Sequence, residues 1–218
     1  MTIQVSAFRW VPEFAQGFVR DLRVRWALEE AGIPYEAALI GLDDRASADY
    51  RGWQPFGQVP AYKDGAVEMF ESGAIVLHLA GKSDALSPQD EAGLARTTTW
   101  VLAALNSVEP TIAQLPEIDL FHAGEAWTTE RRPQVVAAIR ERLTALAAWL
   151  GDKPYLEGER FTAGDLMMAT VLRDVVESGL LAEFPSLDAY VARCIARPAF
   201  QRAMDAQLKP FREFAPAA

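Results

Sequence analysis

The stretch Phe56–Ile75, FGQVPAYKDGAVEMFESGAI, decides how the first half of the chain is read. Asp64-Gly65 is a favoured turn pair, because glycine reaches positive φ without a Cβ clash. With AYK before it and AVEMF after it, the pair closes a β-hairpin. From Ser72 the apolar spacing turns helical through SGAIVLHLAGK and ends near Gly81. Two features exceed what a hairpin and a helix require. Pro60 heads a strand although it has no N–H to give a ladder. Glu71-Ser72 puts a carboxylate beside a hydroxyl at the strand–helix joint, where one capping group would do.

Working outward, TIQVSAF predicts a first strand and RWVPEFAQG a loop. The pattern predicts a helix from Val19 to Ala31, closed by Gly32 as a left-handed cap and by Pro34. YEAALI predicts a second strand, and GLDDRASADYRGWQPFG an irregular run with a short helix. The strands begin parallel and end antiparallel, a small mixed sheet with helices on it. SDALSPQDEAG is polar, carries a proline and reads as a linker. Beyond it no strand pattern occurs. EAGLARTTTWVLAALNSVEPTIAQL is helical and bent or divided at Pro110, FHAGEAWTTERRP reads as a loop, and a long helix then runs to Gly151. Thr162 and Asp165 have the spacing of a capping box, and a helix pair is broken at Pro198. The expected division is residues 1–82, a linker at 83–90, and an all-helical part at 91–218.

The chain carries 21 basic and 30 acidic residues, a net charge of -9, which argues against nucleic acid as a partner. The lone Cys194 excludes an intramolecular disulfide and is consistent with a reducing compartment. The N-terminal residues do not read as a signal peptide, and AIVLHLA is far shorter than the roughly 20 residues a membrane span needs. The expectation is a soluble cytoplasmic protein that binds neither membrane nor nucleic acid. His78, His122 and Cys194 show no metal-ligand spacing, no partner is identified for His122, and no glycine-rich phosphate loop occurs.

VRWALEEAGIPYE, PFGQVPAYKDG, FESGAIVLHLA, FTAGDLMMATVL and FPSLDAYVARCIARPAF occur in one order and at spacings that resemble the cytosolic glutathione transferase family. The match is poor over residues 40–52 and 107–135. The resemblance implies an α/β thioredoxin-like N-terminal domain followed by an all-α helical-bundle C-terminal domain. It implies a cis bond before Pro60 that leaves the main chain of Val59 facing a cleft, where glutathione adds as a short strand. It further implies that Gln58 contacts this tripeptide, that Ser72 at a helix N-terminus receives its γ-glutamyl carboxylate, and that Glu71 pairs with its ammonium. A homodimer is implied, as is a second substrate that is a small electrophile, with no metal.

One departure bears on the chemistry. Family members place Tyr, Ser or Cys near the start of the first helix to hold the thiolate. Here none occurs between Ala7 and Trp26, and the matching position falls on Phe18. The candidates in its place are Arg20, the helix-start amides at Phe18 and Val19, and Trp10, with Arg9 nearby. Phe18 reads as a wall, and Phe14 and Trp100 as apolar lining for the second substrate. Plainer roles stand beside these: Ser72 as an N-cap, Arg20 as a solvated charge, Trp10 as packing. The activities to weigh are thiolate conjugation, glutathione-dependent reduction of a peroxide or disulfide, and binding without turnover.

Overall fold

A computed structural model describes residues 2–216. The strands are β1 (Ile3–Phe8), β2 (Tyr35–Ile40), β3 (Ala61–Asp64) and β4 (Val67–Phe70). The first helices are α1 (Asp21–Ala31), α2 (Ala48–Trp53) and α3 (Ser72–Ala80). Then come α4 (Glu91–Ala103), the short α5 (Glu109–Ile112) and α6 (Gln114–Pro116), α7 (Ala126–Leu150), α8 (Ala163–Leu172), α9 (Pro185–Ile195) and α10 (Pro198–Glu213).

The strands form one sheet in the order β2-β1-β3-β4. β1 and β2 are parallel, with Ile3 opposite Tyr35 and Phe8 opposite Ile40. Parallel neighbours need a crossover, which α1 supplies. β3 runs antiparallel to both β1 and β4, and the hairpin turns at Gly65 with φ 60°. α1 closes as its sequence predicts: Gly32 has φ 65° and returns its N–H to Glu29 and Leu28. It opens two residues later than the apolar spacing predicts, because the N–H of Leu22 bonds back to Val19, a turn tighter than α.

Every α1 residue from Asp21 to Leu28 is buried. The helix packs against the sheet and α3, and also against α10. Trp26 meets the edge of Phe200 at 4.8 Å between ring centroids. Arg197 forks onto Glu30 at 2.6 and 2.8 Å, and Arg202 Nε reaches Glu29 at 2.7 Å. The residues from Arg197 onward thus share one compact unit with those up to Gln89, whereas the sequence places them with the helical part. The physical reason is the apolar face of α10: Ala199, Phe200, Ala203 and Phe211 are all buried. Fully burying a side chain the size of Phe200 contributes roughly 1.5–3 kcal/mol. The expected linker is also anchored, with Leu86 and Ser87 buried and Gln89 Nε2 donating to the carbonyl of Ala80 at 2.9 Å.

The second unit, Asp90–Ala196, is helical. Asp90 caps α4 by accepting from the N–H of Gly93 at 2.9 Å. Past α4 the chain winds through wider, π-type turns at Ala104–Val108 and Glu117–Phe121, and Pro110 lies in the first turn of α5 between them. The expected loop FHAGEAWTTERRP is corrected here. α7 already begins at Ala126 and carries Pro133 inside it. A proline deletes one helical hydrogen bond and crowds the preceding turn. The first turn is tied to its own N-cap, with Thr128 Oγ1 donating to the main-chain carbonyl of Glu125 at 2.7 Å, and the helix is held from outside where Arg132 forks onto Asp119 at 2.7 and 2.9 Å.

α8 is buried over its whole length. Its capping box forms as the sequence predicts, with the N–H of Thr162 donating to Asp165 at 2.8 Å and Thr162 Oγ1 accepting from Gly164 at 3.2 Å. Asp165 is fully buried and also accepts from the N–H of Leu156 at 2.8 Å and the hydroxyl of Tyr190 at 3.1 Å, which ties α8 to α9. Asp165→Ala leaves these donors buried without an acceptor. The expected loss is about 3–5 kcal/mol of stability, read as a lowered midpoint in denaturant unfolding.

Candidate functional site

The loop from α2 to β3 is organised by three buried polar side chains. Gln54 Oε1 accepts from the N–H groups of Phe56 at 2.7 Å and Gln58 at 3.1 Å. Tyr50 donates its hydroxyl to the carbonyl of Gln58 at 2.6 Å. A phenol has one proton, so the 2.8 Å contact between Ser6 and Tyr50 runs with Ser6 donating. Ser6 Oγ in turn accepts from the N–H of Ala61 at 2.7 Å. The relay therefore has one direction: Ala61 to Ser6, Ser6 to Tyr50, Tyr50 to Gln58. Burial pushes the Tyr50 phenol pKa up, which keeps its proton in place. The turn also needs Gly57, with φ 65°, because a Cβ there would lie 2.7 Å from the carbonyl oxygen of Arg45.

The relay brackets the Val59–Pro60 bond, which is cis. Among the described residues no protein hydrogen bond reaches the main chain of Val59. Its side chain is buried with Phe8, Val11, Tyr50 and Phe211, and Trp10 and Val19 pack against that cluster. Ala61 pairs with Phe70, so the next step along the two strands sets Pro60 beside Glu71. The sequence-predicted residues of this loop and of the α3 start therefore meet at one end of the sheet.

α3 begins without a side-chain cap, and its first helical bond runs from Ile75 to Glu71. Glu71 has φ 69°, the one positive value at a non-glycine among the described residues. Such a backbone costs on the order of 1–3 kcal/mol and persists where surrounding structure imposes it. The Glu71 side chain is exposed, while Ser72 is buried. Arg23, itself only 5% exposed on α1, approaches Ser72 Oγ with Nη1 at 3.4 Å. A guanidinium, a hydroxyl and the positive end of a helix dipole thus share one spot, a fit for a carboxylate.

Arg20 is exposed just ahead of α1, with Phe18 and Phe14 part-exposed in the segment leading to it. Arg9 lies over the ring of Phe214 at 5.6 Å. Trp100 is tied within the second unit. Its Nε1 donates to Glu157 at 2.7 Å, its ring lies 5.4 Å from Trp149, and its Cβ presses on Gly164. His122, for which the sequence offered no partner, bonds Glu125 through Nδ1 at 2.8 Å and lies against Trp127. Among the described residues no cluster of metal-binding side chains occurs, and no helix is long and apolar enough to cross a membrane. A cleft of about 610 Å³ in the second unit, lined by Thr128, Arg132 and Arg140 among others, shares no residue with this site.

Ser6, Gln54, Tyr50 and Arg23 were not read from the sequence as site residues. The only local signal was a polar side chain at a strand or helix position where apolar spacing leads the eye elsewhere. Ser6 and Arg23 take their roles from distant partners, Tyr50, Ala61 and Ser72, while Gln54 and Tyr50 also fold the loop locally onto Gln58.

A mixed sheet covered by helices and continued by a helical bundle is the thioredoxin-like plus helical architecture. The models for the glutathione S-transferase N-terminal and C-terminal domains match residues 22–87 and 123–198. A glutathione S-transferase of Hyoscyamus muticus is 26% identical over 202 residues, covering 84% of this chain and 92% of the relative. Glutathione S-transferase 3 of Zea mays is 29% identical over 201 residues, covering 85% and 88%. A crystal structure of a glutathione transferase from Burkholderia graminis, with two glutathione molecules bound per subunit, matches with a TM-score of 0.82. It is 27% identical, and the match covers 94% of this chain and 88% of that one. The chain belongs to the glutathione transferase family.

Tyr50→Phe removes the donor to Gln58 and the acceptor for Ser6 while keeping the ring. The expected cost is about 1–3 kcal/mol of stability, seen in thermal melts. Ser6→Ala should cost a similar amount, and the double variant less than the sum, because both belong to one network.

Proposed function

We propose that the protein binds glutathione along Val59 and at the start of α3, and transfers its thiolate to a small apolar electrophile. The observation that carries this reading is the α3 N-terminus, left without a side-chain cap beside a Glu71 backbone held at φ 69°. A helix start that serves folding alone gains about 1 kcal/mol from a cap and has no use for such a backbone. In this reading the γ-glutamyl carboxylate rests on the α3 amides, the Ser72 hydroxyl and the field of Arg23. Glu71 meets the ligand ammonium. The cysteinyl main chain pairs with the N–H and C=O of Val59 as an added strand, with Gln58 and Pro60 alongside.

A cysteine thiol has a pKa of about 8.5, and the thiolate is the nucleophile. With no Tyr, Ser or Cys between Ala7 and Trp26, the α1 start and Arg20 supply the positive field. Trp10 and Phe18 form walls, and Phe14 offers an apolar surface to the electrophile. The thiol proton leaves to solvent. The sulfur then forms a bond to the electrophilic carbon, whose leaving group departs with its electron pair. A cytoplasmic homodimer is part of the same proposal, on the family likeness.

The missing hydroxyl or thiol donor favours a second reading, a glutathione-binding protein without turnover. The reduction of peroxides or disulfides is less well served, since Cys194 is buried in α9.

Ser72→Ala and Glu71→Ala are each expected to weaken glutathione binding in calorimetry by roughly tenfold, about 1.4 kcal/mol, without loss of fold. Affinity equal to the parent would sink the assignment. Arg20→Ala should lower kcat on a panel of electrophiles more than it raises KM for glutathione. An unaltered rate removes Arg20 from the mechanism, and a parent that binds glutathione yet turns over nothing in the panel supports the second reading.

A further inference from the structure

The residues from Arg197 onward pack with the sheet and α1. One α10 side chain reaches the segment that the conjugation reading makes responsible for the thiolate. Gln207 is 1% exposed, and its Nε2 donates to the main-chain oxygen of Val19 at 3.0 Å and to Asp21 Oδ1 at 2.6 Å. Both partners are acceptors, which fixes the orientation of the amide. Its Oε1 has no partner among the described residues, so the donor end is the end in use. The other oxygen of Asp21 accepts from Arg25 Nε at 2.6 Å, and Arg25 Nη1 donates back to the carbonyl of Ala206 at 3.3 Å. The charged and titratable groups that face Gln207 are thus Asp21 and Arg25 from α1, with Tyr35 of β2 under the Arg25 guanidinium at 5.9 Å.

Val19 contributes more than an anchor point. The peptide unit that carries its C=O also carries the N–H of Arg20, and in a trans peptide the two point in opposite senses. Holding the oxygen against α10 therefore fixes the direction of that amide and the setting of Arg20 at the α1 start. From α1's own end the same oxygen also accepts from the N–H of Leu22 at 3.0 Å, and no side-chain cap adds to it. With no Tyr, Ser or Cys between Ala7 and Trp26, the field on the thiolate in this reading comes from the backbone and one arginine, and is only as exact as their placement.

We infer that Gln207 is a positioning residue for the thiol of bound glutathione, acting through the Val19–Arg20 peptide and Asp21. The inference rests on the glutathione-conjugating reading. It places the C-terminal helix in the activation of a substrate it does not touch.

The test compares Gln207→Met, which keeps the length but removes the donor, with Phe200→Leu, which loosens the same helix contact without touching Val19. The thiolate of bound glutathione is followed by ultraviolet absorbance against pH, so the readout does not require turnover. Glutathione affinity is followed by calorimetry, and stability by thermal melts. For Gln207→Met the thiol titration should move up by about one pH unit, with about a tenfold fall in kcat at neutral pH where turnover is seen, and affinity within about twofold. Phe200→Leu should lower the melting temperature and leave the titration in place. If Gln207→Met lowers stability while the thiol titrates as in the parent, Gln207 is structural only and the inference is overturned. Should Gln207→Met fail to fold, Gln207→Asn, which keeps the amide but withdraws it from Val19, is judged by the same criterion. A parent protein that binds no glutathione overturns the proposed function itself, which separates the two failures.

Discussion

The proton chain from Ala61 to Ser6, Tyr50 and Gln58 is the constraint on which the rest of the site depends. Ala61, Ser6 and Tyr50 are buried, so their polar groups must be paired, and an unpaired group there costs more than a made bond returns. The proton chain also has one direction, set by the single phenolic proton of Tyr50. Because it starts at Ala61 in β3, passes through Ser6 on β1 and ends at Gln58 in the loop before β3, it holds Val59 and Pro60 at this end of the sheet from both sides. Val59 is thereby kept in place while its main chain stays without a protein partner among the described residues. A segment so held can accept a strand from outside at little further cost in conformational entropy.

The same end of the sheet gathers positive ends of backbone dipoles. α1 and α3 both begin here without a side-chain cap, as α7, α9 and α10 do elsewhere, and α3 alone does so beside a non-glycine at positive φ. In a chain of net charge -9, a local spot for an anion has to be built from backbone and a few buried cations. Arg23 is such a cation, lying between α1 and Ser72. The strained Glu71 backbone turns the chain from β4 directly into α3, so that a carboxylate side chain and free-pointing helix amides stand next to each other. Folding stability is spent there on geometry that a ligand can use.

α10 completes the arrangement from the other side of α1. Asp21 and Arg25 form a buried ion pair whose desolvation offsets much of its attraction, so the pair is a poor source of stability. Its value lies in geometry. Together with Gln207 it sets the rotation and start of α1 relative to α10, while Trp26, Phe200 and Phe211 supply the apolar burial. The forks from Arg197 to Glu30 and from Arg202 to Glu29 then fix the far end of the contact.

The sequence by itself determined whatever local rules govern. Asp64-Gly65 had to turn, Gly32 and Pro34 had to end α1, Thr162 and Asp165 had to open α8, and Pro198 had to separate two helices. The motif order was enough to name the family. Pro133 misled, because a proline is read locally as a breaker, while the supports that let α7 carry it, Arg132 on Asp119 among them, come from the preceding turns. Only the tertiary structure decided that α10 packs with α1, that Ser6 and Tyr50 hold the Gln58 loop, and that Arg23 stands under Ser72. Ser6 and Tyr50 lie 44 positions apart and Arg23 and Ser72 49, and apolar periodicity says that a face is buried without saying what it is buried against.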